Sequence, residues 1–143
     1  MGQNKMIDSL TTMLSTNLID STMVKVYSDL CWYYGNVSLD SAFFYGEKAL
    51  ELADKTGNTI GKAQALNDLG ILYYKQADFE TSIGYYRKSL LLREILNDSL
   101  GMDSLYNKLG LSYQRIFKLD SALFFNVEAL KIFESQKNTR YVA

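Results

Sequence analysis

The sequence predicts an all-α fold made of three tandem helical hairpins behind a short leading helix. Three observations predict it: residues recur every forty positions without a gap, each copy holds two stretches of helical spacing, and proline is absent. The clearest pairs are Asn67 with Asn107, Leu69 with Leu109, Gly70 with Gly110, Tyr73 with Tyr113, and Ser89 with Ala129. Because one hairpin cannot bury its apolar face alone, such repeats stack on their neighbours.

The helices are expected in a single domain over residues 1–143. Met6, Leu10 and Leu14 indicate a leading helix over 3–17 that ends near Ser15 and Asn17. The repeats are predicted over 23–58, 59–98 and 99–137, and 138–143 is a tail or the start of a further repeat.

Polar residues in front of the apolar stretches predict where helices begin. Asn58 or Thr59 precedes one helix, Asp78 precedes the next, and Ser99 precedes the one after that. Asn, Asp, Ser and Thr accept hydrogen bonds from the first free backbone N–H groups of a helix. We therefore expect these residues to be N-caps.

Small residues recur where paired helices should cross. A glycine inside a helix costs about 1 kcal/mol against alanine, so its recurrence at Gly70 and Gly110 predicts a packing reason. Ala42, Ser82 and Ala122 are expected to face these crossings from the second helices of the hairpins. The first copy carries Leu30 instead of glycine, so its crossing is predicted to be looser or shifted.

Composition argues against several functional classes. The net charge is −1, from 15 basic and 16 acidic residues, whereas a nucleic-acid binder needs a basic stripe to neutralise phosphates. No stretch approaches the ~20 apolar residues of a membrane span, and the first residues lack the apolar core of a signal peptide. We expect no nucleic-acid partner and no direct membrane insertion of this chain.

Catalytic and metal-binding chemistry is poorly supported, and we predict neither an enzyme nor a cofactor. Histidine is absent, and the single cysteine, Cys31, lies in an apolar stretch that predicts a core position. The segment from Gly57 to Ala63 superficially resembles a phosphate-binding loop, but its spacer is short and it lacks the hydroxyl that would hold Mg²⁺. Glu47 and Glu51 have helical spacing, which favours a solvated face beside lysines over acid–base catalysis.

The repeating residues resemble the tetratricopeptide repeat family over residues 23 to 137. A Leu-Gly pair, a tyrosine three residues later and small residues in the second helix carry the resemblance. The matching residues are Leu69, Gly70, Tyr73, Ser82, Tyr86 and Ser89, then Leu109, Gly110, Tyr113, Ala122 and Ala129, with Tyr33, Ala42 and Ala49 in the first copy. Asn126 replaces the aromatic residue of the third copy. The resemblance implies a right-handed α-solenoid that binds a protein or peptide without catalysis.

Two departures from the family pattern point to a particular type. The period is forty residues instead of ~34, and the proline that usually ends the second helix is missing. Long-period repeats of this kind resemble the sensor regions of Bacteroides-type bacterial signalling proteins. That resemblance implies the ligand- or partner-sensing input module of a signalling protein. It favours a periplasmic location with the signal removed, and leaves the cytoplasm as the alternative.

The family binds partners in a concave groove lined by the first helices of its hairpins. Carried over by position, the resemblance assigns to this groove Tyr27, Tyr34, Gln64, Asn67, Asp68, Tyr74, Lys75, Asn107, Lys108, Gln114 and Arg115. Aromatic, amide and basic side chains of this kind suit an extended or helical peptide. The family's best-known site clamps a terminal carboxylate with basic side chains; Lys108 fits that role, but Asp68 at the matching position would repel the ligand.

Self-association without a separate ligand is the alternative function. A terminal repeat should present a polar outer face, yet the last helix carries Phe124 and Phe133, followed by Tyr141 and Val142. These residues predict either a homodimer through the C-terminal repeat or a missing next repeat.

Overall fold

The computed structural model describes residues 2–142, with side chains described for residues 2–137. This part of the chain forms seven helices and no strand. They are α1 (Gly2–Leu14), α2 (Asp20–Tyr34), α3 (Leu39–Thr56), α4 (Thr59–Lys75), α5 (Phe79–Ile95), α6 (Ser99–Arg115) and α7 (Leu119–Val142). Helices α2–α3, α4–α5 and α6–α7 form three hairpins, each packs on the next, and α1 packs on α2. The expected all-α solenoid is confirmed.

Several helix ends differ from the sequence-based expectation. Helix α1 stops at Leu14, because the hydroxyls of Ser15 and Thr16 turn back to the carbonyl oxygens of Thr12 and Met13. Helix α2 begins at Asp20, ahead of the predicted repeat start at residue 23. Helix α7 continues through 138–142, where a tail or a new repeat was expected; the side chains of Tyr141 and Val142 lie outside the described residues.

Two of the three expected helix caps are confirmed and one is wrong. The side chains of Asn58 and Asp78 accept hydrogen bonds from backbone N–H groups in the first turns of α4 and α5. At α6 the cap is Asp98, whose carboxylate accepts from the Gly101 N–H at 3.0 Å, while Ser99 is already the first helical residue. A carboxylate at this position also interacts favourably with the helix dipole.

The turns use left-handed backbone conformations in place of proline. Gly57 and Asn97, forty residues apart, lie between hairpins at φ values of 67° and 54°. Ala77 and Phe117, also forty residues apart, lie within hairpins at φ values of 62° and 61°. This conformation ends the preceding helix, and it costs free energy for any residue other than glycine and, to a smaller degree, asparagine.

The glycines at the helix crossings have the predicted packing role. A Cβ on Gly70 would lie 2.6 Å from the Tyr86 ring, and the Ser82 hydroxyl donates to the Gly70 carbonyl at 2.7 Å. At Gly110 a Cβ would collide with the side chain of Asn126, at the position equivalent to Tyr86.

The first hairpin reverses this arrangement of large and small side chains. Leu30 fills the position equivalent to Gly70, and Gly46 stands where Tyr86 would be. Leu30 is fully buried, and a Cβ on Gly46 would lie 2.8 Å from the side chain of Leu69. The same Cβ would lie 3.1 Å from the Cys31 sulfur of α2, so Gly46 leaves room both for α2 and for a leucine of the next hairpin.

Candidate binding face

Helices α2, α4 and α6, the first helices of the three hairpins, lie next to one another and form what we call the first-helix face. The structure distributes the predicted groove residues unevenly on it. Asn67 and Asp68 are buried; Tyr27, Tyr34, Gln64, Tyr74 and Lys108 are half-buried; Lys75, Asn107, Gln114 and Arg115 are exposed. A ligand on this face therefore meets only some of the predicted residues directly.

The three basic residues of the predicted groove donate hydrogen bonds to the preceding repeat. Lys75 donates to the Asn36 side chain at 3.0 Å and to the Gly35 carbonyl at 3.3 Å. Lys108 donates to the Asn67 side-chain oxygen at 2.8 Å, and Arg115 donates to the Tyr74 hydroxyl at 3.1 Å. These bonds join residues about one forty-residue period apart, so they hold adjacent repeats in register.

The predicted tyrosines of the face pack on aromatic rings of the second helices. Tyr34 stacks on Tyr45 with ring centroids 5.6 Å apart, and Tyr27 stacks on the same ring at 6.1 Å. Tyr74 meets Phe79 edge to face at 5.0 Å. These contacts fix the positions of the three tyrosine rings on the first-helix face.

A series of hydrogen-bonded polar side chains extends from the first-helix face into the second and third repeats. Asp68, only 5% exposed, accepts from the Gln64 amide at 2.9 Å. The oxygen of that Gln64 amide accepts from Arg93, which also pairs with Asp98 at 2.9 Å. Burial raises the pKa of Asp68 to about 7, against the opposing effects of its hydrogen bonds and of Lys108.

Burial also penalises the charge of Lys108 and lowers its pKa, with Asp68 opposing that effect. Its ammonium is already bonded to Asn67 and lies near a carboxyl group, so it is poorly placed for an anionic ligand. The arrangement argues against a clamp for a terminal carboxylate at this site.

A cavity of about 450 Å³ opens between the N-terminal halves of α2 and α4. It is lined by Ser21, Val24, Lys25, Ser28, Asp29, Asn58, Ile60, Gly61 and Gln64. Of these, only Gln64 was predicted as a groove residue. The others escaped prediction because they are ordinary surface or core types without a motif, and their proximity depends on how α2 packs against α4.

Two groups at this cavity have hydrogen-bonding capacity that the protein does not use. The hydroxyl of Ser28 lies in a residue only 7% exposed and has no hydrogen-bond partner within the described residues. The side chain of Asp29 is half-buried and makes no hydrogen bond or ion pair in that same part of the chain; burial raises its pKa, and the charge of Lys25 partly offsets this. A buried polar group without a partner costs free energy, which a ligand in the cavity could recover.

A second cavity of the same volume lies between α3, α4 and α5. There Lys62 pairs with Asp54 at 2.7 Å, and the remaining carboxylate of the lining, Glu51, is exposed to solvent, whereas Asp29 is half-buried. This difference makes the cavity between α2 and α4 the better candidate for a ligand.

The other motifs of the sequence have structural roles. Cys31 is buried as expected, and burial raises the pKa of its thiol to about 12. The segment from Gly57 to Ala63 is a turn followed by the start of α4, with the Asn58 cap in place of a phosphate. Among the described residues, no group of three or more acidic, cysteine or histidine side chains could hold a metal ion, and no helix has the length and hydropathy to cross a membrane.

Comparison with known proteins agrees with this geometry. A family model described as tetratricopeptide repeat matches residues 63–135. A search of curated proteins gives no match.

Among solved structures, the crystal structure of BtubC (BKLC) from P. vanneervenii is similar, with a TM-score of 0.79 and 24% sequence identity. The similarity covers 90% of this chain and 53% of the BtubC chain, so this chain spans about half the length of BtubC. At this identity the similarity concerns the fold alone.

Proposed function

Because this chain belongs to the tetratricopeptide repeat family, whose fold is typically a non-catalytic scaffold for protein–protein interaction, we propose that it binds an extended peptide segment of a partner protein on the first-helix face. The observation that carries this proposal is the cavity between α2 and α4, lined by the half-buried carboxylate of Asp29, which has no ion-pair partner among the described residues. The predicted groove tyrosines and Asn107, Gln114 and Arg115 extend the contact surface towards the third repeat.

The chemistry of the cavity selects a basic side chain of the partner. Val24 and Ile60 offer apolar walls for the methylene groups of arginine or lysine. Asp29 offers carboxylate oxygens for its charged head, and a cation beside Asp29 would offset the cost of burying that carboxylate. Lys25 at the rim disfavours more than one cation, so we propose a single basic anchor residue.

Isothermal titration calorimetry tests this function. The probe is a capped peptide of Gly, Ser and Ala with one central arginine, compared with the same peptide carrying uncharged citrulline. We expect the arginine peptide to bind more tightly and Asp29→Asn to remove the difference. Glu51→Gln, at the second cavity, is the matched control and should bind as the wild type does. Equal affinity for the two peptides would show that the cavity does not select a cation.

We further propose that this binding event serves as the input of a bacterial signalling protein. The support is the resemblance of the forty-residue repeats to sensor regions of that class. The coding sequence that follows codon 143 tests the proposal. A membrane span followed by a kinase or DNA-binding region would support it, and a stop codon would overturn it in favour of a free-standing adaptor.

The second candidate function is structural homo-oligomerisation without a separate ligand. The observation that favours it is the exposed apolar side of α7, which includes Phe133. It requires no ligand on the first-helix face, so it can be tested independently.

A further inference from the structure

Helix α7 has an apolar side that nothing in the described part of the chain covers. Leu119, Leu123, Leu130 and Phe133 are 63%, 64%, 53% and 58% exposed. Their spacing of four, seven and three residues places them on one side of the helix. We call this set the α7 stripe.

The same positions are covered in the two preceding hairpins. In α5, Ile83 and Leu90 correspond to Leu123 and Leu130, and both are buried in a cluster with Leu105 and Leu109 of α6. In α3, the corresponding Phe43 and Leu50 pack on a cluster that contains Leu69 and Leu72 of α4. The α7 stripe therefore has the composition of a surface on which another helix packs.

Two features of the chain bear on what that helix is. Helix α7 has 24 residues, against 17 in α5 and α6, and the four residues of the stripe fit the two apolar positions of a heptad repeat. Alternating spacing of three and four residues is the pattern of helices that pair along their length. At the other end of the molecule, the exposed non-glycine residues of α1 are polar apart from Met6 and Met13. That end offers little for head-to-tail stacking, so among contacts between copies of this chain a closed pair of identical surfaces fits the stripe better.

We propose that the α7 stripe pairs with α7 of a second copy of this chain, in antiparallel orientation. This register places Leu123 against the partner's Phe133, and Lys137 beside the partner's Asp120, whereas a parallel pair would place two Lys137 ammonium groups together. The four stripe residues expose roughly 400 Å² per copy, about half of the ~800 Å² that each partner buries in a stable interface. Val127, Asp120 and Glu134 flank the stripe and extend the contact.

The two phenylalanines that the sequence singled out take different roles in this arrangement. Phe124 and Phe133 are nine residues apart, about two and a half helical turns, so they point to opposite sides of α7. Phe124 is 57% exposed and contacts Phe125 edge to face at 5.0 Å. The pairing uses Phe133, and Phe124 is a matched control of the same type and exposure.

The proposal rests on the second candidate function and is independent of peptide binding, so sedimentation equilibrium without any ligand tests it. We expect a dimer that Leu123→Glu combined with Phe133→Glu converts to a monomer with an unchanged helical circular dichroism spectrum. Phe124→Glu should remain a dimer. A wild-type monomer throughout the micromolar range, or dissociation by Phe124→Glu alone, would overturn the proposal.

Disulfide trapping tests the orientation. Asp120→Cys and Lys137→Cys proteins are mixed and oxidised, with the buried Cys31 left in place. Antiparallel pairing predicts the mixed disulfide as the main product. Predominant disulfides between two Lys137→Cys chains would contradict the antiparallel arrangement.

Discussion

Lys108 in the third repeat donates a hydrogen bond to the side-chain oxygen of Asn67 in the second, at 2.8 Å. Lys75 and Arg115 make corresponding contacts with the repeat before their own. In a solenoid, stability depends on such interfaces between neighbours, because each repeat contacts only those beside it. The basic side chains of the first-helix face therefore join the repeats, and an experiment that reverses their charge would change stability as well as binding.

Replacing Lys108 should weaken the interface between the second and third repeats. Lys108→Met leaves the buried Asn67 oxygen without its donor, so we expect the free energy of unfolding to fall by about 1 kcal/mol. Urea denaturation measures this, and a double-mutant cycle with Asn67→Ala should give a coupling energy of about 1 kcal/mol. Lys131→Met, at an exposed pair, is the control and should change little. Additive effects in the cycle would show that the bond does not contribute.

The carboxyl group of Asp68 should make stability depend on pH. Its pKa is raised from 3.8 to about 7 in the folded state, chiefly by burial. The folded protein therefore binds a proton that the unfolded chain has released, so this contribution is complete below pH 4 and is lost as pH rises through 7.

Asp68→Asn mimics the neutral carboxyl and should remove this dependence. We expect the variant and the wild type to be similarly stable near pH 4, and the variant to be more stable by about 2–4 kcal/mol at pH 8. Urea denaturation at the two pH values measures the change. A variant equally destabilised at both would show that the hydrogen bonds of the carboxyl group matter more than its ionisation.

Replacing Gly70 and Gly84 by alanine should change the stability of the protein in opposite directions. A Cβ at Gly70 would lie 2.6 Å from the Tyr86 ring, so Gly70→Ala should destabilise the protein by about 1–3 kcal/mol. At Gly84 no atom lies within 4 Å of the new Cβ, so Gly84→Ala should stabilise it by about 1 kcal/mol through helix propensity. Thermal unfolding measures both. Stabilisation by both variants would contradict the tight crossing at Gly70.

The left-handed turn at Ala77 should favour glycine. Ala77 has a φ of 62°, which is strained for alanine, so Ala77→Gly should raise stability by about 0.5–1 kcal/mol after the entropy of the unfolded chain is counted. The neighbouring Gln76 has a φ of −81°, so Gln76→Gly should lower stability instead. Thermal unfolding of both variants distinguishes the backbone effect from a general effect of glycine in this turn.

The forty-residue register made the helices and the glycine crossings predictable. Because glycine inside a helix costs about 1 kcal/mol, its recurrence at Gly70 and Gly110 indicated close helix crossings, and the structure places Tyr86 and Asn126 against them. The exchange of Leu30 with Gly46 escaped prediction because the compensating glycine lies on the other helix. The sequence does not distinguish Asp98 from Ser99 as the cap of α6, because both are capping residue types and only the backbone path decides between adjacent positions.

The candidate binding site was less predictable than the fold. Position in the repeat placed Tyr74, Lys108 and Arg115 on the first-helix face, but it could not indicate which side chains bridge to the neighbouring repeat. The proximity of Ser28 and Asp29 to a cavity can be recognised only when the packing of α2 against α4 is known. Their unused hydrogen-bonding capacity is a property of that packing and has no signature in the sequence.

Peptide binding on the first-helix face is tested most directly by backbone amide chemical shifts during titration with the single-arginine peptide. The account predicts that the largest changes cluster at Ser28, Asp29, Gly61 and Gln64, and that Asp29→Asn abolishes them. Changes confined to the cavity between α3, α4 and α5, or no change at saturating peptide, would contradict it.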